Sequence, residues 1–127
     1  MRIEERSGIR VLHLEADGKP ISTPDDAVDL VGSAWSHQAG VIAVPVERLA
    51  PKFFQLKSGI AGEITQKLVN YRLRLAVVGD ISTRVAKSNA LRDYVRESNR
   101  GDHVWFVDSD EDLDRKLSDR AGASSAR

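Results

Sequence analysis

The chain has 127 residues, a length typical of one domain, with hydrophobic and charged contents of 41% and 30% that are ordinary for a soluble globular protein. Nineteen basic and nineteen acidic residues cancel, which disfavours nucleic acid and anionic membranes as partners. Cysteine is absent, which excludes disulfides, thiolate metal sites and cysteine nucleophiles. No apolar run approaches the ~20 residues of a membrane helix, so the sequence predicts a soluble, cytoplasmic protein.

The first third of the chain predicts a hairpin, a helix and a buried strand. Residues 2–15 favour two short strands around a serine-glycine turn. Thr23 followed by Pro24 predicts the start of a helix, because threonine is a good N-cap and proline suits the first helical position. Trp35 falls on the apolar side of this helix and is predicted to lie in the core. The β-branched run at 41–44 is typical of a strand covered on both faces.

In the rest of the chain, predicted helices alternate with predicted strands. One-sided apolar patterns predict helices over 58–71 and 84–99, and continuous apolar runs predict strands over 73–79 and 103–107. A last helix, capped by Ser109, is expected before the C-terminus. The predicted order is therefore β-β-α-β-α-β-α-β-α.

This order predicts an α/β fold with a single mixed, mostly parallel sheet of about five strands and about four helices. Residues 1–120 are expected to form one domain, and residues 121–127 a disordered tail of small and polar side chains. In open sheets of this kind ligands bind beyond the carboxyl ends of the parallel strands. Loop 45–58, turn 79–83 and the segment 108–109 occupy such ends.

The segment KSGIAGEI, residues 57–64, places small residues where a helix should begin. Gly59 and Gly62 leave the free backbone N–H groups of the first turn uncovered, and the helix dipole makes that surface favourable to anions. Ser58 is either a structural cap or a hydroxyl that becomes phosphorylated. The same pattern also fits a simple cap with small residues that allow close packing of helix on sheet.

Polar side chains follow on the same helix and form one stripe of four: Glu63, Gln66, Lys67 and Asn70. The stripe suits recognition of a partner, and it is also typical of a solvated helix face with a Glu63–Lys67 pair. Asp80 follows the next predicted strand and is a further candidate binding residue. An aspartate there could hold a cation, orient a hydroxyl or simply form a turn.

Catalytic and metal-binding patterns are missing from the sequence. The three histidines, His13, His37 and His103, have no companion at ligand spacing, so no metal site is predicted. Neither a P-loop nor a Gly-x-Ser-x-Gly elbow occurs, and we predict no cofactor. Enzymatic activity is left open and is not favoured.

Two long segments carry a family resemblance. FFQLKSGIAGEITQKLVNYRLRLAVVGD at 53–80 and SNALRDYVRESNRG at 88–101 resemble a bacterial family known as domain of unknown function 4180. The resemblance covers most of the chain, from GIRVLHL through TPDDAVDLVG to HVWFV. The family implies no particular activity.

The element order is similar to that of the STAS domain, named for sulphate transporters and anti-sigma-factor antagonists. In the antagonists a partner kinase phosphorylates a serine at a helix start, which switches partner binding. Ser58 matches that serine by position, whereas Lys57 stands where an aspartate usually precedes it. The resemblance implies a STAS-like fold and a regulatory interaction.

The favoured function is a non-enzymatic regulatory or protein-interaction domain that binds through the helix start at Ser58 and the polar stripe. Its partner would be another protein or a second copy of the chain. The alternative is a small-molecule site or minor enzyme at the carboxyl end of the sheet. There, backbone amides at Ser58 would hold an anionic ligand, with Asp80 or Glu63 as polar partners. A third possibility is a dimer that uses Trp105 or Tyr94 at its interface.

Overall fold

The computed structural model describes the backbone of residues 1–125 and the side chains of residues 1–119. The described part contains one five-stranded sheet: β1 (Arg2–Arg6), β2 (Ile9–His13), β3 (Val41–Pro45), β4 (Arg74–Val78) and β5 (Val104–Val107). It also contains six α-helices: α1 (Pro24–Ser36), α2 (Pro51–Phe54), α3 (Ile60–Asn70), α4 (Ser82–Ala86), α5 (Asn89–Arg100) and α6 (Asp110–Ser125). Short 3-10 turns at Val46–Arg48 and Leu56–Ser58 lie between β3 and α3.

The strands lie side by side in chain order, β1-β2-β3-β4-β5. β1 and β2 form an antiparallel hairpin, and the other three pairs are parallel. The predicted α/β fold with one mixed, mostly parallel sheet of five strands is therefore confirmed. The start of α1 also matches its prediction, because Thr23 is the N-cap residue in front of Pro24 and forms a capping box with Asp26 in the first turn.

Two short helices raise the number of helices above the predicted four. α2 is a single turn inside the segment that the sequence assigned to a loop, and it buries Phe53 and Phe54. The helix predicted over 84–99 is divided into α4 and α5, because the Ser88 hydroxyl accepts a hydrogen bond of 3.1 Å from the Leu91 amide and starts a new helix.

The end of α6 overlaps the predicted tail. The backbone is helical through Ser125, whereas the sequence predicts disorder over 121–127. Residues 126 and 127 lie outside the described residues. Within the described part of the chain, no helix has both the length and the apolar character needed to cross a membrane.

The sheet is covered by different helices on its two faces. Parallel strands added in chain order repeat the same right-handed crossover, which places α1, α3 and α5 on one face. The apolar side chains of that face form the larger core, which includes Leu12, Ile42, Leu75, Phe106, Leu30, Ile64, Leu68 and Leu91. On the opposite face, α6 packs Leu113 and Leu117 against Val11, Val41, Ala76 and Trp105.

Trp105 anchors the layer formed by α6. Its side chain is fully buried, and its indole Nε1 donates a hydrogen bond of 2.8 Å to the Gly101 carbonyl. The guanidinium of Arg74 lies 5.6 Å and the ammonium of Lys116 5.4 Å from the ring centre, within the range of cation–π attraction. Trp105 is thus a core residue in this structure and does not offer the interface that the sequence suggested for it.

Trp35 shows the opposite outcome. The prediction that it lies in the core is wrong, because its relative exposure is 62%. The buried positions of α1 are Ala27, Leu30, Val31 and Ala34, which already complete the stripe that faces the sheet. Trp35 lies on the flank of that stripe and meets the Tyr71 ring edge-on, with centroids 5.9 Å apart.

The two tryptophans allow a matched test of the fold. We expect Trp105→Ala to lower the free energy of unfolding by about 3–5 kcal/mol, because it opens a cavity under α6. Trp35→Ala removes a mostly exposed ring and should change stability by less than about 1 kcal/mol. Urea unfolding followed by circular dichroism measures both. Equal losses for the two variants would contradict the assignment of Trp105 to the core.

Candidate functional site

The turn that leads into α3 is fixed by Ser58 and Gly59. The Ser58 hydroxyl donates a hydrogen bond of 2.7 Å to the Lys52 carbonyl and accepts one of 3.2 Å from the Ile60 amide. Gly59, with φ of 77°, is the residue at the N-cap position, and this left-handed conformation suits glycine. The exposed Ser58 side chain therefore has a structural role in the turn, and its hydroxyl is bonded on both sides.

Gly62 is different, because neither packing nor backbone conformation requires a glycine there. It lies exposed in the first turn of α3, and a Cβ built on it would meet nothing within 4 Å. Ala61, by contrast, is buried against the core. Close packing of helix on sheet thus explains Ala61 but not Gly62. The glycine costs about 1 kcal/mol of helix stability relative to alanine, and it leaves the outer side of the first turn bare.

The four residues of the predicted polar stripe are brought together on α3. Glu63, Gln66, Lys67 and Asn70 are all exposed. The Gln66 amide nitrogen donates a hydrogen bond of 2.8 Å to the Asn70 side-chain oxygen, one turn further along. Among the described ion pairs none joins Glu63 to Lys67, so both charged ends stay open to solvent.

Asp80 belongs to a separate site at the carboxyl end of β4. Its carboxylate accepts a hydrogen bond of 2.8 Å from the Ser82 amide, and this bond holds the pKa of Asp80 below its usual value. The residue lines a cavity of about 610 Å³, the Asp80 cavity, together with Ser82, Asn99 and Asp108. No residue of α3 lines that cavity. The structure thus places the four residues of the stripe together on α3, whereas Asp80 lines a cavity to which α3 contributes no residue.

An exposed aromatic pair lies beside the stripe and was not predicted as part of a site. Tyr71 directly follows α3 and is 46% exposed, and it contacts Trp35 of α1. Val28 lies seven residues before Trp35, on the same side of α1, and is 49% exposed. The sequence signal was available: Val28 and Trp35 form a second apolar line beside an already complete one.

These groups form one surface on the outer side of α1 and α3. We refer to it as the helical surface, and it consists of Val28, Trp35, Glu63, Gln66, Lys67, Asn70 and Tyr71. Trp35 and Tyr71 meet at the C-terminal ends of the two helices, Val28 lies two turns before Trp35 on α1, and the polar stripe extends along α3. Ser58 and Gly62 lie at the opposite, N-terminal end of α3.

A second unpredicted group surrounds His13, on the α6 face at the end of β2. The side chain is only 7% exposed, and its Nε2 has no hydrogen-bond partner. That nitrogen lies 3.7 Å from a carboxylate oxygen of Glu4, and Nδ1 lies 4.0 Å from one of Asp110. The sequence could not indicate this group, because its members come from the two ends of the chain.

Burial and the surrounding charges together set the protonation of His13. Burial lowers the pKa of the His13 imidazole, and the guanidinium groups of Arg2 and Arg6 lower it further, while Asp110 and Glu4 act in the opposite direction. The lowering prevails, so the imidazole is neutral near pH 7. Within the described residues no group of three or more histidine, cysteine or acidic side chains could hold a metal ion.

Comparison with protein families gives a match over residues 6–117 to the model described as Domain of unknown function (DUF4180). The chain belongs to the DUF4180 family. The comparisons with curated proteins and with solved structures gave no match. The resemblance of this DUF4180 chain to STAS domains thus stays a prediction, and the family description assigns no activity to the helical surface or to His13.

The glycines at the start of α3 offer a test of their separate roles in the DUF4180 chain. Gly62→Ala should raise the free energy of unfolding by about 0.5–1 kcal/mol, because alanine favours the helix and has room at this position. Gly59→Ala should lower it by about 1–2 kcal/mol, because its positive φ strains an L-residue. Chemical unfolding of both variants measures these changes in the free energy of unfolding. A destabilising Gly62→Ala would reveal a packing role that the structure does not contain.

The lowered pKa of His13 implies that the folding stability of the chain depends on pH. The unfolded chain takes up the proton at a pH near 6.5, before the folded chain does. The contribution of His13 to stability is thus complete above that pH and is lost as the pH falls through the lower folded pKa. We expect His13→Gln to flatten the loss of stability below about pH 6.5. Urea unfolding between about pH 8 and 5 measures this, and a His13→Gln profile parallel to wild type would contradict it.

Proposed function

We propose that this chain is a non-enzymatic protein-interaction domain that binds its partner through the helical surface. The observation that carries the proposal is the exposed Trp35–Tyr71 pair. The partner is a second protein with an apolar anchor that contacts the two rings and polar groups that reach the stripe.

The exposed large apolar side chains are concentrated on one surface, which is unusual. Single exposed apolar side chains are normal on a monomer. Here the structure exposes four large apolar side chains within the described residues, and three of them, Val28, Trp35 and Tyr71, lie on the helical surface. The fourth is Met1. Tryptophan and tyrosine are the side chains most enriched in the energetically dominant centres of protein interfaces.

The mutual contact of the two rings supports the same function. Trp35 and Tyr71 meet at an interplanar angle of 86°, the edge-to-face arrangement that aromatic pairs prefer. Each ring limits the motion of the other before a partner arrives, which reduces the entropy lost on binding. The pair is thus a preformed anchor rather than two independent surface residues.

The polar stripe supplies the rim of the proposed interface. Glu63 and Lys67 carry opposite charges, and Gln66 and Asn70 offer amide donors and acceptors. A rim of mixed charge fits a protein surface better than the uniformly negative phosphate backbone of nucleic acid. The bare first turn at Gly62 extends the accessible surface of α3 towards Ser58.

We place regulation at Ser58, as part of the same proposal. A phosphoryl group there would replace the proton that the hydroxyl shares with the Lys52 carbonyl and would change the turn into α3. The helix dipole would favour the added charge, whereas the added bulk and charge would disturb a close contact at that end. A switch requires the second effect to dominate.

The alternative of an anionic ligand receives less support. The Asp80 cavity carries the carboxylates of Asp80 and Asp108, and no basic side chain lines it. Both carboxylates would repel an anion. An enzyme at this edge would also need a nucleophile with an adjacent base, and Asp80 is instead bonded to the Ser82 amide. The helical surface therefore remains the better candidate.

The proposal is tested by capturing partners from lysate with the full chain as bait. A Trp35→Ser/Tyr71→Ser bait should lose proteins that wild type retains, because loss of two central aromatic anchors weakens binding by about 30-fold or more. The control bait Arg92→Ser/Arg96→Ser changes two exposed residues of α5 and should retain them. Ser58→Glu should weaken the same partners.

Two further results would decide against the proposal or refine it. Identical protein sets on wild-type and aromatic-variant baits, with both baits folded by circular dichroism, would reject the helical surface as the interface. Sedimentation of purified wild type distinguishes self-association: a dimer that Trp35→Ser/Tyr71→Ser dissociates would identify the partner as a second copy.

A further inference from the structure

A cavity of about 360 Å³ opens on the α6 face at the carboxyl ends of β2, β3 and β4. We refer to it as the His13 cavity. Ala43, Pro45 and Val78 give it an apolar floor, and its polar lining includes His13, Glu47, Asp110 and Arg2. Its size lies at the lower end of the ~300–1,000 Å³ of small-molecule sites, and the carboxyl edge of an open sheet is their usual position.

His13 presents a hydrogen-bond acceptor to this cavity. A neutral imidazole carries one N–H, and both carboxylates beside the ring can only accept; because Glu4 lies closer to Nε2, at 3.7 Å, than Asp110 lies to Nδ1, at 4.0 Å, we assign the proton to Nε2. Nδ1 is then an acceptor, and it faces the Asp110 carboxylate oxygen at 4.0 Å. Two acceptors at this separation form no hydrogen bond with each other, but one donor can lie about 2.8 Å from both. The site therefore favours a donor group.

The charges of the lining favour a positive donor. Glu47 and Asp110 contribute two carboxylates against one guanidinium, that of Arg2. Arg2 is itself paired with Glu4 at 2.5 Å and lies 3.8 Å from Asp110. Glu47 takes part in none of the described ion pairs, so its charge is open to a ligand. An ammonium group has three N–H donors and no acceptor, which matches this lining.

We propose that the His13 cavity binds a small primary amine whose ammonium group bridges His13 and Asp110 and whose apolar body lies over Ala43, Pro45 and Val78. His13 is only 7% exposed and lines the cavity, and its Nδ1, beside Asp110, takes part in none of the described hydrogen bonds; this separates the cavity from an ordinary acidic surface cluster. The site lies on the opposite face of the sheet from the helical surface, so the two proposals stand independently.

The test uses the purified full chain and three six-carbon probes, hexylamine, hexanol and hexanoate, at about pH 7.5. Two-dimensional ¹H–¹⁵N NMR titration follows each probe. We expect saturable shifts with hexylamine at the amides around His13, Ala43 and Asp110, and affinities at least about tenfold lower for the alcohol and the acid. Equal binding of hexanoate, or no saturation by hexylamine at about 10 mM, would overturn the proposal.

Charge-neutral variants localise the site. Glu47→Gln and Asp110→Asn should each weaken hexylamine about tenfold or more, because each removes a carboxylate that faces the ammonium group. Glu111→Gln is the matched control, since this exposed carboxylate of the same helix does not line the cavity. An equal effect of Glu111→Gln would show that the amine binds to acidic surface charge in general, and the proposal would fail.

Discussion

The arrangement of the whole molecule depends on the order of its parallel strands. Because β2, β3, β4 and β5 are neighbours in chain order, each crossover returns over the same face of the sheet. That face receives α1, α3 and α5, and the opposite face is left to α6. Trp105 fills the space beneath α6 near β4 and β5, and an ion pair between Arg6 and Asp114 attaches the helix near β1.

This division explains why the two candidate sites differ in kind. On the first face α1, α3 and α5 lie over the strands, and the outer side of α1 and α3 carries the aromatic pair and the polar stripe. On the second face one helix must cover five strands. The charged edge at β1 and the start of α6 do not close over the carboxyl ends of the strands, and the His13 cavity remains between them.

The sequence predicted what depends on local pattern. Apolar periodicity located every strand and the larger helices, and the cap at Thr23 is a local signal that the structure reproduces. The break between α4 and α5 at Ser88 is also a local feature. The apolar pattern of a helix continues through Ser88, so the sequence did not reveal that its hydroxyl starts α5. Contacts between residues far apart in the chain could not be predicted from the sequence. The carboxylates beside His13 come from β1 and from the start of α6, and no local pattern in the sequence brings them together.

We propose that Trp35 and Tyr71 are exposed in the isolated chain because a protein partner covers them in the cell. Hydroxyl-radical footprinting of the full chain, purified and then in its native lysate, tests this directly, with oxidation of each residue normalised to that of the exposed Met1. We expect both rings to be oxidised in the purified chain and protected in lysate, while the buried Trp105 stays unmodified in both. Equal oxidation of Trp35 and Tyr71 in the two samples would contradict it.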